Sequence, residues 1–423
     1  MDSIYCFRRG ESHKATDKPC QDCAFAEHSP SLSMAIVCDG HGGEKYFRSD
    51  IGAKSAVTII KKSIHSFVEN MNISSFNNDG NLSVFSNSHF CSYSKAESTE
   101  EQTEKKAHKA LTWLFSSIIS QWNDAIAKDA RQRDITDWEE KHVDKTILDE
   151  FRKKRENPEA TFEKNYGCTL MVYVQTPDYW FAFQLGDGKL VTMEKNNDVI
   201  SFYQPVPWDD KCFLNKTTSL CDSHALDEFR YCYQGDGTFP VAAFLGSDGM
   251  DDSYGDGENL YNFYANLYKQ IAKSGVDVAS NMLNSWLPEI SKIGSKDDMS
   301  VACIFDDHEI NLNFYAIIEY QKSVIESQIL EHNEKIEALH KKIDDYDEES
   351  KLSRSEKINL DYDRNDLNKI ISSVKQARKK LRDLQDEIIR FDNGRKKQHH
   401  SHSKSKSVSK QKNLASKIKR IRK

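Results

Sequence analysis

Four short apolar runs in this chain meet an aspartate at one end. MAIVC (34–38) runs into Asp39, YWFAFQL (179–185) reaches Asp187 after one glycine, and VAAFLGS (241–247) runs into Asp248. MSVACIF (299–305) instead starts directly after Asp297 and Asp298. Their lengths and their β-branched and aromatic content predict strands, as they do for a fifth run, CTLMVYV (168–174). In an antiparallel sheet the end of one strand lies beside the start of its neighbour, so these acids are expected on a single sheet edge. Each of Asp39, Asp187 and Asp248 is followed by glycine, which permits a tight turn and close approach of backbone oxygen to a ligand. One Asp–Gly pair is ordinarily only a turn marker. Several of them, each abutting a strongly apolar strand, would repel one another unless a cation neutralised them. Hard oxygen donors with no thiolate or histidine pair at metal spacing favour Mg²⁺ or Mn²⁺ over zinc. A pair of such ions lowers the pKa of a shared water and stabilises a phosphoryl group under attack.

The rest of the chain sorts into three regions. Residues 1–308 alternate strand-like runs with helical stretches at Lys45–Asn70 and from Ala107 to Lys128, the latter followed by a charged segment to about Lys154. Residues 72–103, rich in Ser, Asn and Glu, are expected to be a flexible insertion. From Asn311 apolar residues step by three and four: Ile325, Ile329, Ile336, Leu339 and Ile343, then Leu360, Leu367, Ile370, Val374, Leu381, Leu384 and Ile388. The polar break DDYDEESKLSRSE shifts the phase, which favours a coiled-coil helical hairpin over 311–393 rather than one continuous parallel dimer. Gly394 is expected to end that helix, and a disordered basic tail, 394–423, to follow. From Arg395 onward the tail holds 12 Lys or Arg and no acid; subtracting that +12 from the whole-chain charge of −7 leaves −19 on residues 1–394. The cysteines are scattered, several inside apolar runs, which suggests reduced thiols and a cytoplasmic protein. The opening MDSIYCFRRG has no signal-peptide pattern, and no apolar run nears the roughly 20 residues of a membrane span.

Taken in order, CQD (20–22), VCDGHGG (37–43), GCTLMV (167–172), LGDGKL (185–190), GSDGMDD (246–252) and SKDDMSV (295–301) resemble the metal-dependent Ser/Thr protein phosphatases of the protein phosphatase 2C (PPM) family. The resemblance spans about residues 1–306, and the opening segment and insertion look more like bacterial than animal members. It implies an α+β four-layer sandwich, two antiparallel β-sheets flanked by helices, with a metal centre at one end. It implies two Mg²⁺ or Mn²⁺ ions. Asp39 would bridge them, the Gly40 carbonyl would bind one, Asp248 and Asp297 would complete the other's shell, and Asp22 would hold bound waters. Asp187 with Asp252 and Asp248 would form a third, weaker metal site. His41 would be the general acid that protonates the leaving Ser or Thr oxygen after direct attack by a metal-bridged hydroxide. One departure stands out: the arginine that often precedes the first aspartate is absent from SHKATDKPCQD (12–22), leaving His13 and Lys14 as weak candidates for the substrate phosphate, with Lys18, Arg8 and Arg9 behind them. The segment 197–240 matches the family's variable flap.

The reading that follows is a phosphoprotein phosphatase opposing a cognate Ser/Thr kinase. The alternatives are a pseudophosphatase scaffold acting through its coiled coil and basic tail, and a small-molecule phosphoesterase. A coiled-coil partner or self-association, and contact of the tail with nucleic acid or an anionic surface, complete the expected interactions.

Overall fold

The computed structural model describes residues 1–71, 73–86, 99–209, 211–212, 217–348 and 353–421, with side chains except at 73, 99–103, 347–348, 354, 356 and 397–421. The chain divides into two compact units, Met1–Ile310 and Asn311–Lys423.

Among the described residues the first unit contains eleven strands: β1 (Asp2–Arg8), β2 (Cys23–Ser29), β3 (Leu32–Cys38), β4 (Ser83–Ser86), β5 (Leu170–Gln175), β6 (Tyr179–Leu185), β7 (Lys189–Asn196), β8 (Val199–Tyr203), β9 (Arg230–Gly235), β10 (Ala242–Gly246) and β11 (Met299–Phe305). They form two antiparallel sheets, ordered β1-β11-β10-β7-β8 and β2-β3-β5-β6-β9-β4. Its helices are α1 (Glu11–Ala15), α2 (Ser49–Asn70), α3 (Thr99–Gln132), α4 (Asp137–His142), α5 (Lys145–Glu156), α6 (Glu163–Tyr166), α7 (Asp248–Tyr254), α8 (Gly257–Ser274) and α9 (Val276–Ile293).

Strand side chains alternate between faces, and here both faces are buried. Ala35 and Val37 of β3 join Ala24, Ala26, Ala182, Ala243 and Ala302 in the core between the sheets, where small residues let the two layers approach. Met34, Ile36 and Cys38 face the other way, into a core shared with Ile60, Leu111, Phe115 and Trp122 of α2 and α3. Across the five-stranded sheet, Phe244 stacks on Tyr264 of α8 at 4.7 Å. The result is the four-layer sandwich of two antiparallel sheets flanked by helices that the sequence implies.

Three expectations need correction. Of the segment 72–103, residues 72 and 87–98 lie outside the described residues, but the part between them is not a loose insertion. Phe76 is fully buried, and β4 closes the edge of the six-stranded sheet against β9. The stretch 197–240 is not one variable segment either: β8 takes its start, and β9 lies inside the sheet, between β6 and β4. Finally, the acids do not share one sheet. Asp39 and Asp187 leave the six-stranded sheet, whereas Asp248 and Asp297 belong to ends of the five-stranded one.

Among the described residues the second unit holds two helices, α10 (Ile310–Glu348) and α11 (Arg354–Ile421). Phe314 stacks on Phe391 at 3.8 Å, while Lys342 meets Asp363 at 2.8 Å and Ile343 packs with Leu360 and Leu367. Early α10 therefore meets late α11 and late α10 meets early α11, the signature of an antiparallel hairpin. Gly394 does not end α11, which continues to Ile421. One internal glycine costs only about 1 kcal/mol against alanine, and the arginine and lysines that follow it are good helix formers.

Candidate active site

Backbone pairing fixes where each acid sits. Beyond the end of β3, the Asp39 carbonyl accepts the Thr169 N–H at 2.8 Å, Gly40 bridges to Cys168, and the His41 N–H donates to the Gly167 carbonyl at 3.1 Å. Residues 167–169 thus clamp the Asp39 turn. A Cβ on Gly40 would stand 2.8 Å from the carbonyl oxygens of Gln21 and Ser49, so this glycine is required by close packing rather than by turn geometry. Gly186 has φ of +110° and lies over the Thr169 side chain, which carries the chain from β6 into Asp187. Asp248 opens α7, whose Asp251 and Asp252 fall one turn later on the same helical face. Ser247 and Ser300 exchange hydrogen bonds (3.1 and 3.2 Å) and lock the start of α7 to β11.

Asp39, Asp187, Asp248, Asp251, Asp252, Asp297 and Asp298 line a single cleft of about 470 Å³, together with His13, Gly40, His41 and Trp208. Asp22 is buried behind them, and among the described residues its Oδ2 has no hydrogen-bond partner.

The electrostatics split this cluster in two. Burial, then the charge of Asp298, pushes Asp22 well above the usual carboxylate range. Burial, then Asp22 and Asp248, does the same to Asp39, and burial carries Asp248 up to about 6. Asp187, Asp251 and Asp252 are raised as well, burial again being the main cause. Asp298 behaves oppositely. Burial would raise it, but His13 Nδ1 at 2.9 Å and the N–H groups of Gly10 and Gln21, each at 2.6 Å, hold it below its ordinary value. Asp298 is thus a satisfied strut that ties the β1–α1 turn and the segment before Asp22 to β11. Asp22, Asp39 and Asp248 have no cation paired with them among the described residues, so burial and one another's charge hold all three above the usual carboxylate range. An all-oxygen donor set with an orphaned buried carboxylate oxygen fits a hard divalent cation.

His41 lies 4.7 Å from the Tyr46 ring, and its Nε2 is 2.7 Å from Ser219 Oγ. The Ser219 hydroxyl also lies within hydrogen-bond reach of the Cys168 carbonyl at 3.1 Å and of Cys221 Sγ at 3.3 Å, which fixes its place beside the imidazole. Burial lowers the imidazole to about 4, and the ring is neutral near pH 7.

Of the cations expected to meet phosphate, His13 reaches the cleft but is paired with Asp298, and Lys14 is outside the cleft, 3.4 Å from Glu11. Arg8 donates to Phe7 O and Asn284, and Arg9 to Asp17 and Lys18 O. Lys18 Nζ donates to the Gly42 carbonyl at 2.5 Å, beside His41. Burial lowers Lys18, against the pull of Asp298 and Asp297.

A buried network supports the loop from Asp39 to Ser49. The fully buried Arg48 donates through Nε to Glu139 Oε1 at 2.6 Å, through Nη1 to Tyr166 at 3.1 Å, and through Nη2 to the Asp134 carbonyl at 3.1 Å. Ser49 Oγ and Gln21 Nε2 both donate to the His41 carbonyl, at 2.9 and 3.1 Å. Sequence reasoning missed Arg48, Ser219, Asp298's role and Trp208. Local signals existed only for Asp251, inside GSDGMDD, and Asp298, inside SKDDMSV.

The family model described as Protein phosphatase 2C matches residues 9–288. The chain belongs to that family and is, by class, a metal-dependent protein serine/threonine phosphatase. Solved structures similar to it include the serine/threonine phosphatase Stp1 from Staphylococcus aureus, at 12% identity over 73% of this chain and 95% of that one, with a TM-score of 0.40. The catalytic domain of the serine threonine protein phosphatase PstP, in complex with two manganese ions, is 13% identical over 72% and 98%, with a TM-score of 0.38. A C. elegans sex determining protein is 12% identical over 74% and 67%, with a TM-score of 0.38. No curated protein matches the chain.

Proposed function

We propose that this protein is a Mg²⁺- or Mn²⁺-dependent phosphatase of phosphoserine and phosphothreonine in proteins, opposing a Ser/Thr kinase. The observation that carries the reading is the set of buried carboxylates, Asp22, Asp39 and Asp248, held above their usual range around an orphaned oxygen. Asp39, the Gly40 carbonyl, Asp248 and Asp297, with Asp22 behind them, would hold two ions, and Asp187 with Asp252 and Asp248 a third. Divalent cations bound there supply Lewis acidity and a water activated near neutral pH, which makes a covalent phosphoenzyme unnecessary.

The chain's own groups do the rest. Thr169 and Gly167 fix the Asp39 turn, so its carboxylate is rigid at the floor of the cleft. His41 is held through Nε2 by Ser219 Oγ, and the charged ring would supply the proton for the leaving oxygen. The negative charge of a phosphoryl group in the cleft favours that charged form. His13, held by Asp298, and Lys18, beside Gly42, are the side chains that would meet an incoming phosphate.

The catalytic unit is residues 1–308. The hairpin 311–393, with Leu330, Ile358, Tyr362 and Ile389 exposed, serves as an arm for a coiled-coil partner or self-association. The basic stretch 394–423 meets nucleic acid or an anionic surface, and the protein works in the cytoplasm. Among the described residues no helix is long and apolar enough to cross a membrane.

Phosphate release from phosphothreonine peptides tests the enzyme reading. Turnover should need Mn²⁺ or Mg²⁺, stop on chelation, and fall at least ~100-fold in Asp39→Asn, beyond what loss of an outer-shell partner does. Absence of turnover on every phosphopeptide, or an unaffected Asp39→Asn, overturns it.

A further inference from the structure

One large side chain at the cleft is unexplained by catalysis. Trp208 is 47% exposed and lines the same cleft as Asp39, Asp187 and Asp248. A solitary exposed tryptophan is ordinary on a surface. This one is held in place. Buried Arg230 of β9 donates to the Pro207 carbonyl at 2.8 Å on one side of it. Asp209, on the other side, accepts from Thr218 Oγ1 at 3.1 Å and lies 3.7 Å from the Arg230 guanidinium. Arg230 also donates to the Gly186 carbonyl, one residue before Asp187. The segment that carries Trp208 is thereby pinned to the turn that carries a cleft carboxylate. The ring is clamped too, since Lys189 Nζ sits 3.8 Å from its centre.

We propose that Trp208 determines substrate specificity: its ring receives an apolar or aromatic side chain next to the phosphorylated residue. The inference rests on the phosphatase reading above. A phosphoryl group handled by the aspartates leaves the neighbouring residue only 3.8 Å away along the chain, Cα to Cα, so that residue must lie along the cleft wall. The chemistry of the neighbour follows from Lys189. A cation already engages one face of the ring, so a second cation over the opposite face would be repelled through it. Lys189 Nζ also lies 3.7 Å from Asp251, whose charge is thereby matched and offers little to a basic substrate residue. An uncharged, flat or branched side chain meets neither obstacle.

The test compares kcat/KM, with Mn²⁺, for O-phospho-L-threonine and for phosphothreonine peptides in which the flanking residues are Phe, Leu, Gly, Lys or Glu. The full-length wild type should favour Phe- and Leu-flanked peptides over Gly-flanked ones by about tenfold, mainly through KM. In Trp208→Ala that ratio should collapse to about twofold or less, and Trp208→Phe should restore most of it. Equal kcat/KM across the panel, a Lys-flanked peptide as the best substrate, or a preference that survives Trp208→Ala overturns the proposal. A wild type that turns over neither peptides nor O-phospho-L-threonine overturns the phosphatase reading itself, which the panel distinguishes from loss of flank preference.

Discussion

Arg48 offers the sharpest test of how the catalytic loop is held. Burial alone would lower its pKa, yet its hydrogen bonds to Glu139 and Tyr166 keep it charged above the usual range. Glu139 is itself 4% exposed, and its carboxylate also accepts the Thr136 N–H at 2.6 Å to complete the capping box of α4. Arg48→Met removes the only formal cation bonded to that carboxylate among the described residues, leaving a buried, uncompensated anion. Breaking one partner of such a pair costs about 3–5 kcal/mol. The same change frees the hydrogen-bond acceptors on Tyr166 and Asp134. Replacing both partners should cost less, and Glu139→Gln keeps a side-chain acceptor for the cap. In Arg48→Met/Glu139→Gln we expect at least ~2 kcal/mol of the loss to be recovered relative to the sum of the single variants. The assay is denaturant unfolding of the full chain followed by tryptophan fluorescence, read as midpoint shifts at constant slope. Below the transition, loosening of the Asp39–Ser49 loop should lower kcat/KM by up to ~100-fold. An Arg48→Met cost below about 1 kcal/mol, or strictly additive single variants, would refute the argument.

Other outcomes follow from single contacts. Gly40→Ala forces a Cβ to within 2.8 Å of two carbonyl oxygens and should cost about 1–3 kcal/mol in thermal unfolding, with loss of turnover; a neutral substitution would contradict that packing. Asp298→Ala removes the acceptor of the Gly10 and Gln21 N–H groups and the carboxylate beside His13, and should cost about 3 kcal/mol or more by the same measurement. His108, bonded to the Tyr231 hydroxyl, is lowered by burial to about 4. Its unfolded value is about 6.5, so the unfolded chain takes up the proton first, and stability present above that pH is lost as pH falls from about 6.5 towards 4. Comparing unfolding at pH 7 and 5, His108→Gln should show a smaller acid loss than wild type; an identical pH dependence would contradict the assignment.

Much of this architecture is written locally. The runs that became β3, β5, β6, β10 and β11 are buried on both faces, so they stay apolar without alternation and stand out. Asp39, Asp187, Asp248 and Asp297 were legible because each lies within two residues of such a run, whereas Asp22 and Asp252 entered only through the family resemblance. β1 and β2 were not, for their half-exposed sequences, DSIYCFR and CAFAEHS, mix polar and apolar residues, and their partners are fixed by register: Tyr5 lies opposite Ala302. The same holds for the site. Arg48 finds Glu139 across 91 positions, His41 finds Ser219 across 178, and Gly10 finds Asp298 across 288. No local spacing announces such pairs. Gly394 shows the converse, a local stop signal overridden by the helix formers around it.

Asp22, Asp39 and Asp248, buried close together, would repel one another when ionised until a divalent cation binds. Thermal unfolding of wild type and Asp39→Asn, each with chelator and with saturating Mn²⁺, tests this directly. Neutralising one buried anion should leave Asp39→Asn at least as stable as wild type in chelator. Mn²⁺ at 100 times its Kd should stabilise wild type by about 2.7 kcal/mol per site and Asp39→Asn far less. A wild type indifferent to Mn²⁺, or an Asp39→Asn variant that is less stable in chelator yet responds fully to Mn²⁺, would contradict it.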